Sequence, residues 1–131
     1  MQLNNLTTTS HGIGAESGSM IYLENTTSKD MYINRNGMIE GDNLTVSDLT
    51  MDTAGVAEFN KLTIGCSSAS SACITAYGGT TIKLQNSTIT GEVQVSTASV
   101  ANIEKTIFNK VDSEYSVLSL DRNSHGELED C

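Results

Sequence analysis

Short triplets of the form apolar–polar–apolar recur along the chain between Asn43 and Gly91. The triplets are Leu44-Thr45-Val46, Leu49-Thr50-Met51, Leu62-Thr63-Ile64, Ile74-Thr75-Ala76 and Ile82-Lys83-Leu84. Each triplet places two apolar side chains on one face of an extended backbone and a threonine or lysine on the other, because successive strand residues point to opposite faces. Gly, Asn, Asp and Ser separate the triplets, and these residues favour turns. The pattern predicts a stack of very short strands.

The spacing of the apolar positions favours one architecture over the others. Anchors about five to seven residues apart leave no room for strands of about five or six residues plus a hairpin loop, whereas a solenoid with several short faces per coil accommodates them. We therefore predict an all-β, single-domain parallel β-solenoid, or β-helix. Residues 20–120 form the solenoid domain, residues 1–19 an N-terminal arm or irregular first coil, and residues 121–131 an acidic polar tail or cap.

Two features are compatible with other structures. Asn36-Gly37 and Gly78-Gly79 each lie between apolar runs, and such dipeptides are strong hairpin signals. They make an antiparallel β-sandwich the alternative fold. The segment from Ser99 to Val111 has apolar residues three and four positions apart, so it fits either a short helix or a further strand coil.

Composition limits the core and the partners. The chain has 131 residues, no tryptophan and no proline, so the core must be built from medium-sized aliphatic side chains. The formal net charge is −9, with seven scattered Lys and Arg residues, which argues against nucleic acid as a partner because phosphate binding needs clustered cations. No apolar run approaches the length of a membrane span, so we expect no membrane insertion.

Two of the three cysteines flank a short Ser/Ala segment. Cys66 and Cys73 are close enough in sequence to form a disulfide within one loop, which would contribute roughly 2–3 kcal/mol in the chain-entropy model and imply an oxidising compartment. The alternative is a pair of reduced small residues. Cys131 is left over at the end of the sequence.

The polar positions of the triplets define a candidate binding face. Regular rows of threonine can bind ordered water or polar polymers, whereas a solvated β-face needs no ligand. The spacing is uneven and one lysine interrupts it, which favours the solvated face. The candidate residues are Thr45, Thr50, Thr63, Thr75, Lys83 and Thr90.

The sequence predicts no catalytic, cofactor-binding or metal-binding residue. His11 and His125 both lie in polar segments and are expected to be solvated. Asp42, Asp48 and Asp52 are close in sequence and could serve polysaccharide cleavage or weak calcium binding, but aspartates that cap turns explain them as well.

The Leu-Thr-Val, Leu-Thr-Met and Leu-Thr-Ile triplets, with the run from Ile82 to Gly91, resemble coils of the right-handed β-helix passengers of bacterial surface adhesins. They look equally like β-helical fibre and spike segments of phage tails. The resemblance covers about residues 20–120. It implies a non-catalytic structural or attachment module of a surface-displayed or extracellular assembly, with a virion fibre, spike or decoration protein as the alternative and a polysaccharide-active enzyme as a third reading. An attachment role makes a host surface or glycan the expected partner. Exposed coil ends or sheet edges predict self-association, as a homo-oligomer or filament.

Overall fold

The computed structural model describes residues 1–66, 72–109 and 116–131. Within these residues one sheet of thirteen strands winds around a single core and nearly closes on itself as a solenoid. The strands are β1 (Gln2–Asn4), β2 (Ile13–Ala15), β3 (Met20–Ile33), β4 (Met38–Met51), β5 (Val56–Gly65), β6 (Ala72–Ala76), β7 (Thr81–Gln85), β8 (Thr88–Thr90), β9 (Glu92–Val95), β10 (Val100–Glu104), β11 (Ile107–Asn109), β12 (Leu118–Leu120) and β13 (His125–Glu129).

Every strand pairing in the described part of the chain is parallel and joins one coil to the next. The predicted all-β parallel solenoid is therefore confirmed, and the antiparallel sandwich is wrong. The solenoid has three faces. The first face contains β1, β7, β10, β13 and the first segments of β3, β4 and β5. The second contains β8, β11 and the next segments of β3, β4 and β5. The third contains β2, β6, β9, β12 and the last segments of β3 and β4.

The length of a coil changes along the solenoid. Met20 pairs with Met38 and Met38 with Val56, so these coils have eighteen residues. The next coil, from Val56 to Thr81, has twenty-five, and its extra residues follow Gly65 at the corner between the second and third faces.

Left-handed backbone conformations turn the chain between faces. Asn25, Asn43 and Asn86 have φ values of 49°, 56° and 50° at the corner between the first and second faces, a conformation that asparagine tolerates better than most residues. At the corner after the third face, Asn36 has a φ of 64° and Gly78 and Gly79 a φ of 76° each. The dipeptides that signal a hairpin are thus solenoid corners, which rotate the chain onto the next face without reversing it.

The core follows from strand alternation. Inward side chains of successive coils stack into one continuous apolar cluster, and Leu23, Ile33, Leu62 and Ile82 are among its fully buried members. A few inward positions are polar. Three of their hydroxyls, those of Thr26, Ser87 and Thr106, donate to the carbonyl oxygen two residues earlier, as Ser87 does to Gln85 at 2.8 Å. Buried hydroxyls paired in this way avoid the cost of unsatisfied polar groups.

The segment that fitted either a helix or a strand forms strands. This segment contains β10 (Val100–Glu104) and β11 (Ile107–Asn109). Lys105 between them has a φ of 46°, a left-handed value that a continuous α-helix does not allow. Ile107 is 63% exposed, so the helical apolar face does not exist. Val111, like the rest of 110–115, lies outside the described residues.

Strands also occur in both end segments. The segment 1–19 contains β1 and β2, which pair with β3, and the segment 121–131 contains β13, which pairs with β10. The sequence from Tyr115 to Leu120 predicts a last strand. Within it the structure describes β12, and Tyr115 lies outside the described residues.

Candidate binding faces

The six candidate residues of the predicted binding face do not share one surface. Thr45 and Thr63 are register partners on the second face, and both are exposed. Thr50 and Thr75 are register partners on the third face and are half-buried. Lys83 lies exposed on the first face, and Thr90 pairs with Gly65 at the end of the second. The solenoid therefore distributes these residues around its circumference.

The second face carries a longer row of threonines than the sequence indicated. The row, called here the threonine column, joins register partners of five coils: Thr7, Thr27, Thr45, Thr63 and Thr88. Neighbouring strands of a sheet are about 4.8 Å apart, so the column is regular although its members are unevenly spaced in sequence. Thr7 and Thr88 were missed because their steps of twenty and twenty-five residues differ from the eighteen-residue step between Thr45 and Thr63. Thr27 lies eighteen residues before Thr45, and this repeated spacing is the signal that could have found it.

A groove of about 500 Å³ runs along the first face, parallel to the solenoid axis. Its sides are two columns of outward side chains, because residues two apart in a strand point to the same side. We call it the first-face groove. One column contains Tyr22, Glu40, Glu58, Lys83, Asn102 and Glu127, and the other contains Asp42, Asn60, Gln85, Glu104 and Glu129.

Hydrogen bonds between neighbouring coils order the side chains of the groove. Lys83 Nζ lies 2.9 Å from Glu58 Oε1, and Gln85 Nε2 donates to Glu104 Oε2 at 2.9 Å. Within one coil, Lys105 Nζ also donates to Glu104 Oε1 of the adjacent residue, at 2.6 Å. The hydrogen bonds from Lys105 and Gln85 lower the pKa of Glu104, and Glu104 in turn raises the pKa of Lys105.

The groove offers more hydrogen-bond acceptors than donors. Six carboxylates line it, at positions 40, 42, 58, 104, 127 and 129, together with three amides and one lysine. Carboxylates accept hydrogen bonds, and amides both donate and accept them. Such a surface can bind hydroxyl-rich or amine-bearing ligands and repels anions.

The three aspartates considered for catalysis or calcium binding are not brought together. Asp42 lies on the first face, Asp48 at the corner before the third face and Asp52 at the corner after it. Burial is the largest influence on Asp48 and raises its pKa, with a smaller contribution from Asp30 in the preceding coil. A hydrogen bond from Thr50 Oγ1, at 3.2 Å, acts in the opposite direction. In the described part of the chain, His, Cys, Asp and Glu form no group of three or more arranged to hold a metal ion.

The histidines lie at opposite ends of the solenoid. His11 is exposed next to Ser10, with Nδ1 2.8 Å from Ser10 Oγ. His125 is exposed on β13, with Nε2 3.3 Å from Glu127 Oε1. Neither histidine is positioned to exchange a proton with the carboxylates in the middle of the groove.

A disulfide lies at the corner where the coil length changes. Cys66 and Cys73 are joined, with their Cα atoms 5.2 Å apart. Cys73 is fully buried, and the two sulfurs pack against Gly91 of the next coil. The segment between the cysteines is described only at residue 72.

No protein-family model, curated protein or solved structure matches this chain. Among the described residues, no helix is long and apolar enough to cross a membrane.

Proposed function

We propose that this protein is a non-catalytic structural and attachment module of a surface-displayed or extracellular assembly, and that it self-associates. The observation that carries the proposal is the first-face groove, which extends along the solenoid axis over successive coils. A groove of this form suits an extended polymer better than a compact small molecule. The polar side chains along its two sides favour a glycan, whose hydroxyls can pair with stacked carboxylates and amides.

The charge of the groove indicates which glycans it can bind. Glu58 and Lys83 neutralise each other, and the other charged side chains lining the groove are carboxylates. We therefore expect neutral or amine-bearing glycans to bind and sulfated or phosphorylated glycans to be excluded, because like charges repel across a short distance.

Amide truncation within the groove tests this proposal. Gln85→Ala with Asn102→Ala removes two hydrogen-bonding side chains of the groove. At about 0.5–1.5 kcal/mol for each hydrogen bond, the loss of affinity should be roughly tenfold by calorimetry with a neutral oligosaccharide. Gln94→Ala, which removes an exposed amide of the third face, is the matched control and should bind like the parent protein.

The outcomes separate attachment from catalysis. An equal loss of affinity in the Gln94 control, or no binding across a panel of neutral and amine-bearing oligosaccharides, would reject the groove as the attachment site. Shortened oligosaccharide after prolonged incubation, detected by mass spectrometry, would reject a non-catalytic role and favour a polysaccharide-active enzyme.

A virion fibre, spike or decoration protein is the second candidate. The observation that favours it is the stacking of the coils along one axis, each coil paired in parallel with the next, since a one-dimensional array of this kind suits a fibre. The Cys66–Cys73 disulfide favours the extracellular candidate, because disulfides persist in oxidising compartments. Thiol labelling of the protein from its native source distinguishes them: blocked cysteines support the surface module, and free cysteines support assembly in a reducing cytoplasm.

A further inference from the structure

One stretch of the first-face groove combines an aromatic ring with a carboxylate. Tyr22 on β3 and Glu40 on β4 are register partners, and both side chains line the groove. Because neighbouring strands are about 4.8 Å apart, the phenol ring and the carboxylate lie next to each other. Both side chains are half-buried, so a ligand in the groove can contact them together.

Tyr22 supplies the aromatic surface of the groove. The other aromatic residue that lines it in the described part of the chain, Phe59, is only 3% exposed and belongs to the core. The face of an aromatic ring carries partial negative charge and attracts ammonium groups. A carboxylate beside the ring attracts the same groups and accepts hydrogen bonds from their N–H donors. Tyr22 and Glu40 together therefore have the chemistry that recognises an amine.

The next coil shows how this surface holds an ammonium group. Glu58 is the register partner of Glu40, and its Oε1 lies 2.9 Å from Nζ of Lys83 in the coil after it. The ammonium of Lys83 therefore occupies the position beside Glu58. A ligand amine beside Glu40 would repeat this contact one coil earlier, with the ring of Tyr22 as a second partner.

Most glutamates of the groove already have a cationic side chain as partner. Glu104 Oε1 accepts a hydrogen bond from Lys105 Nζ at 2.6 Å, and Glu127 Oε1 lies 3.3 Å from Nε2 of His125. The ion pairs of the described residues do not include Glu40. The carboxylate of Glu40 is therefore available to a cation from outside the chain.

Two further carboxylates line the groove, and neither has an aromatic register partner. Asp42 accepts a hydrogen bond from Asn60 Nδ2, and Glu129 pairs in register with another glutamate. Asp42 lies on the same side of β4 as Glu40, two residues or roughly 7 Å further along the strand, so its charge adds to the attraction of a cation. Within the described groove, an aromatic ring next to a carboxylate without an ion pair occurs only at Tyr22 and Glu40.

We propose that Tyr22 and Glu40 form a subsite for an ammonium group, so that the groove prefers glycans that carry a free amino sugar over neutral glycans of the same length. The subsite rests on the proposed function of the groove and narrows the glycan to an amine-bearing one. The ammonium would lie against the ring of Tyr22 and donate hydrogen bonds to Glu40. Neutral sugar units next to the amine would reach the amides of Asn60, Gln85 and Asn102 in the following coils.

The charges further along the groove favour a glycan over a lysine-rich peptide. Lys83 lies two coils after Glu40 in the same column. A chain of lysines that placed one ammonium at Glu40 would place others near Lys83, where like charges repel. A glycan with an isolated amine avoids this repulsion because its remaining groups are neutral hydroxyls.

Two oligosaccharides that differ by one amine test the proposal. A chitin tetrasaccharide from which one acetyl group has been removed carries one ammonium group, and the fully acetylated tetrasaccharide carries none. By calorimetry at low salt, the parent protein should bind the amine-bearing form about tenfold more tightly, since the cation–π contact and the exposed ion pair both contribute. Salt should reduce this preference by screening the ion pair.

Variants assign the preference to the two residues. Glu40→Gln, which removes the charge and keeps the shape of the side chain, should reduce the preference for the amine about threefold. Tyr22→Leu should reduce it by a similar factor, whereas Tyr22→Phe, which keeps the ring, should retain it. Glu92→Gln removes a carboxylate from the third face and, as the control for overall charge, should bind like the parent protein. Far-UV circular dichroism checks the fold of each variant, and Glu40→Gln remains decisive if Tyr22→Leu is misfolded.

Failure of the subsite can be told apart from failure of the groove. Equal affinities of the parent protein for the two oligosaccharides, or a preference that Glu40→Gln leaves unchanged, would overturn the subsite and leave attachment of neutral glycans to the groove intact. If a lysine tetrapeptide binds more tightly than the amine-bearing oligosaccharide, a glycan is the wrong occupant and the proposal is overturned. Binding of neither oligosaccharide would reject the subsite together with the proposed attachment function.

Discussion

Gly91 packs directly against the sulfur of Cys73. A methyl group on Gly91 would overlap Cys73 Sγ and lie 3.0 Å from Cys66 Sγ. The φ of Gly91 is 130°, a value that glycine adopts readily and other residues rarely do. The disulfide of one coil thus requires a glycine in the next.

Gly91→Ala should destabilise the protein by about 2–4 kcal/mol, because overpacking adds to the cost of a positive φ. Gly79→Ala is the matched control, since Gly79 also has a positive φ of 76° but has no atom within 4 Å of the added methyl. The control should cost only about 1–2 kcal/mol. Denaturant unfolding measures both, and equal losses would show that the disulfide does not restrict position 91.

Removing the disulfide should lower stability to a similar degree. Cys66→Ala with Cys73→Ala should lower the free energy of unfolding by roughly 2–3 kcal/mol, mainly because the unfolded chain gains conformational entropy without the disulfide. Reductant should lower the melting temperature of the parent protein towards that of the double variant and leave the double variant unchanged. A parent protein whose thiols are shown to be reduced, yet whose melting temperature stays the same, would contradict this expectation.

Leu62→Asp tests the inward register of the triplets. Leu62 is 1% exposed, so a carboxylate there should cost more than about 4 kcal/mol and abolish folding as seen by far-UV circular dichroism. Thr63→Asp, on the exposed threonine column, should cost less than about 1 kcal/mol. A Leu62→Asp protein with the parent melting temperature would show that the register is wrong.

Asp48 should make stability depend on pH. Its pKa in the folded protein lies above the ordinary 3.8, chiefly because of burial. Ionisation is therefore less favourable in the folded than in the unfolded state. The stability that comes from the protonated carboxyl is complete below the unfolded-state pKa and is lost as pH rises through the folded-state pKa.

Asp48→Asn should abolish the loss of stability that ionisation of Asp48 causes as pH rises. The melting temperature of the variant, relative to the parent protein, should rise as pH increases from about 3 to about 7. Asp30→Asn removes only the neighbouring charge and should produce a smaller rise. A difference between Asp48→Asn and the parent that is constant over this range would contradict the assigned cause.

Sequence reasoning predicted the strands because their pattern is local. The triplet Ile82-Lys83-Leu84 lies within β7, and both of its apolar residues are buried while Lys83 is exposed. The same reasoning left two interpretations of Gly78-Gly79 open, a hairpin turn and a solenoid corner, because glycine residues with a positive φ suit both. The hydrogen-bond partners of the flanking strands, which are distant in sequence, decide between them.

The surfaces could not be predicted in the same way. The threonine column requires that Thr63 of one coil lie beside Thr88 of the next. These two residues are twenty-five positions apart, whereas Thr45 and Thr63 are eighteen apart, so the earlier spacing does not predict the later one. Likewise, Lys83 and Glu58 form an ion pair across twenty-five residues. Each of these neighbours depends on how many residues the intervening corners hold.

The sequence by itself determined which side chains point inward and which point outward, and that the chain is all-β. It could do so because strand alternation has a period of two residues and is set by adjacent peptide units. Only the tertiary structure decided which outward residues form the threonine column and the first-face groove. Backbone hydrogen bonds between coils align the strands whatever the length of the corners between them, so the composition of each face emerges only when the coils stack.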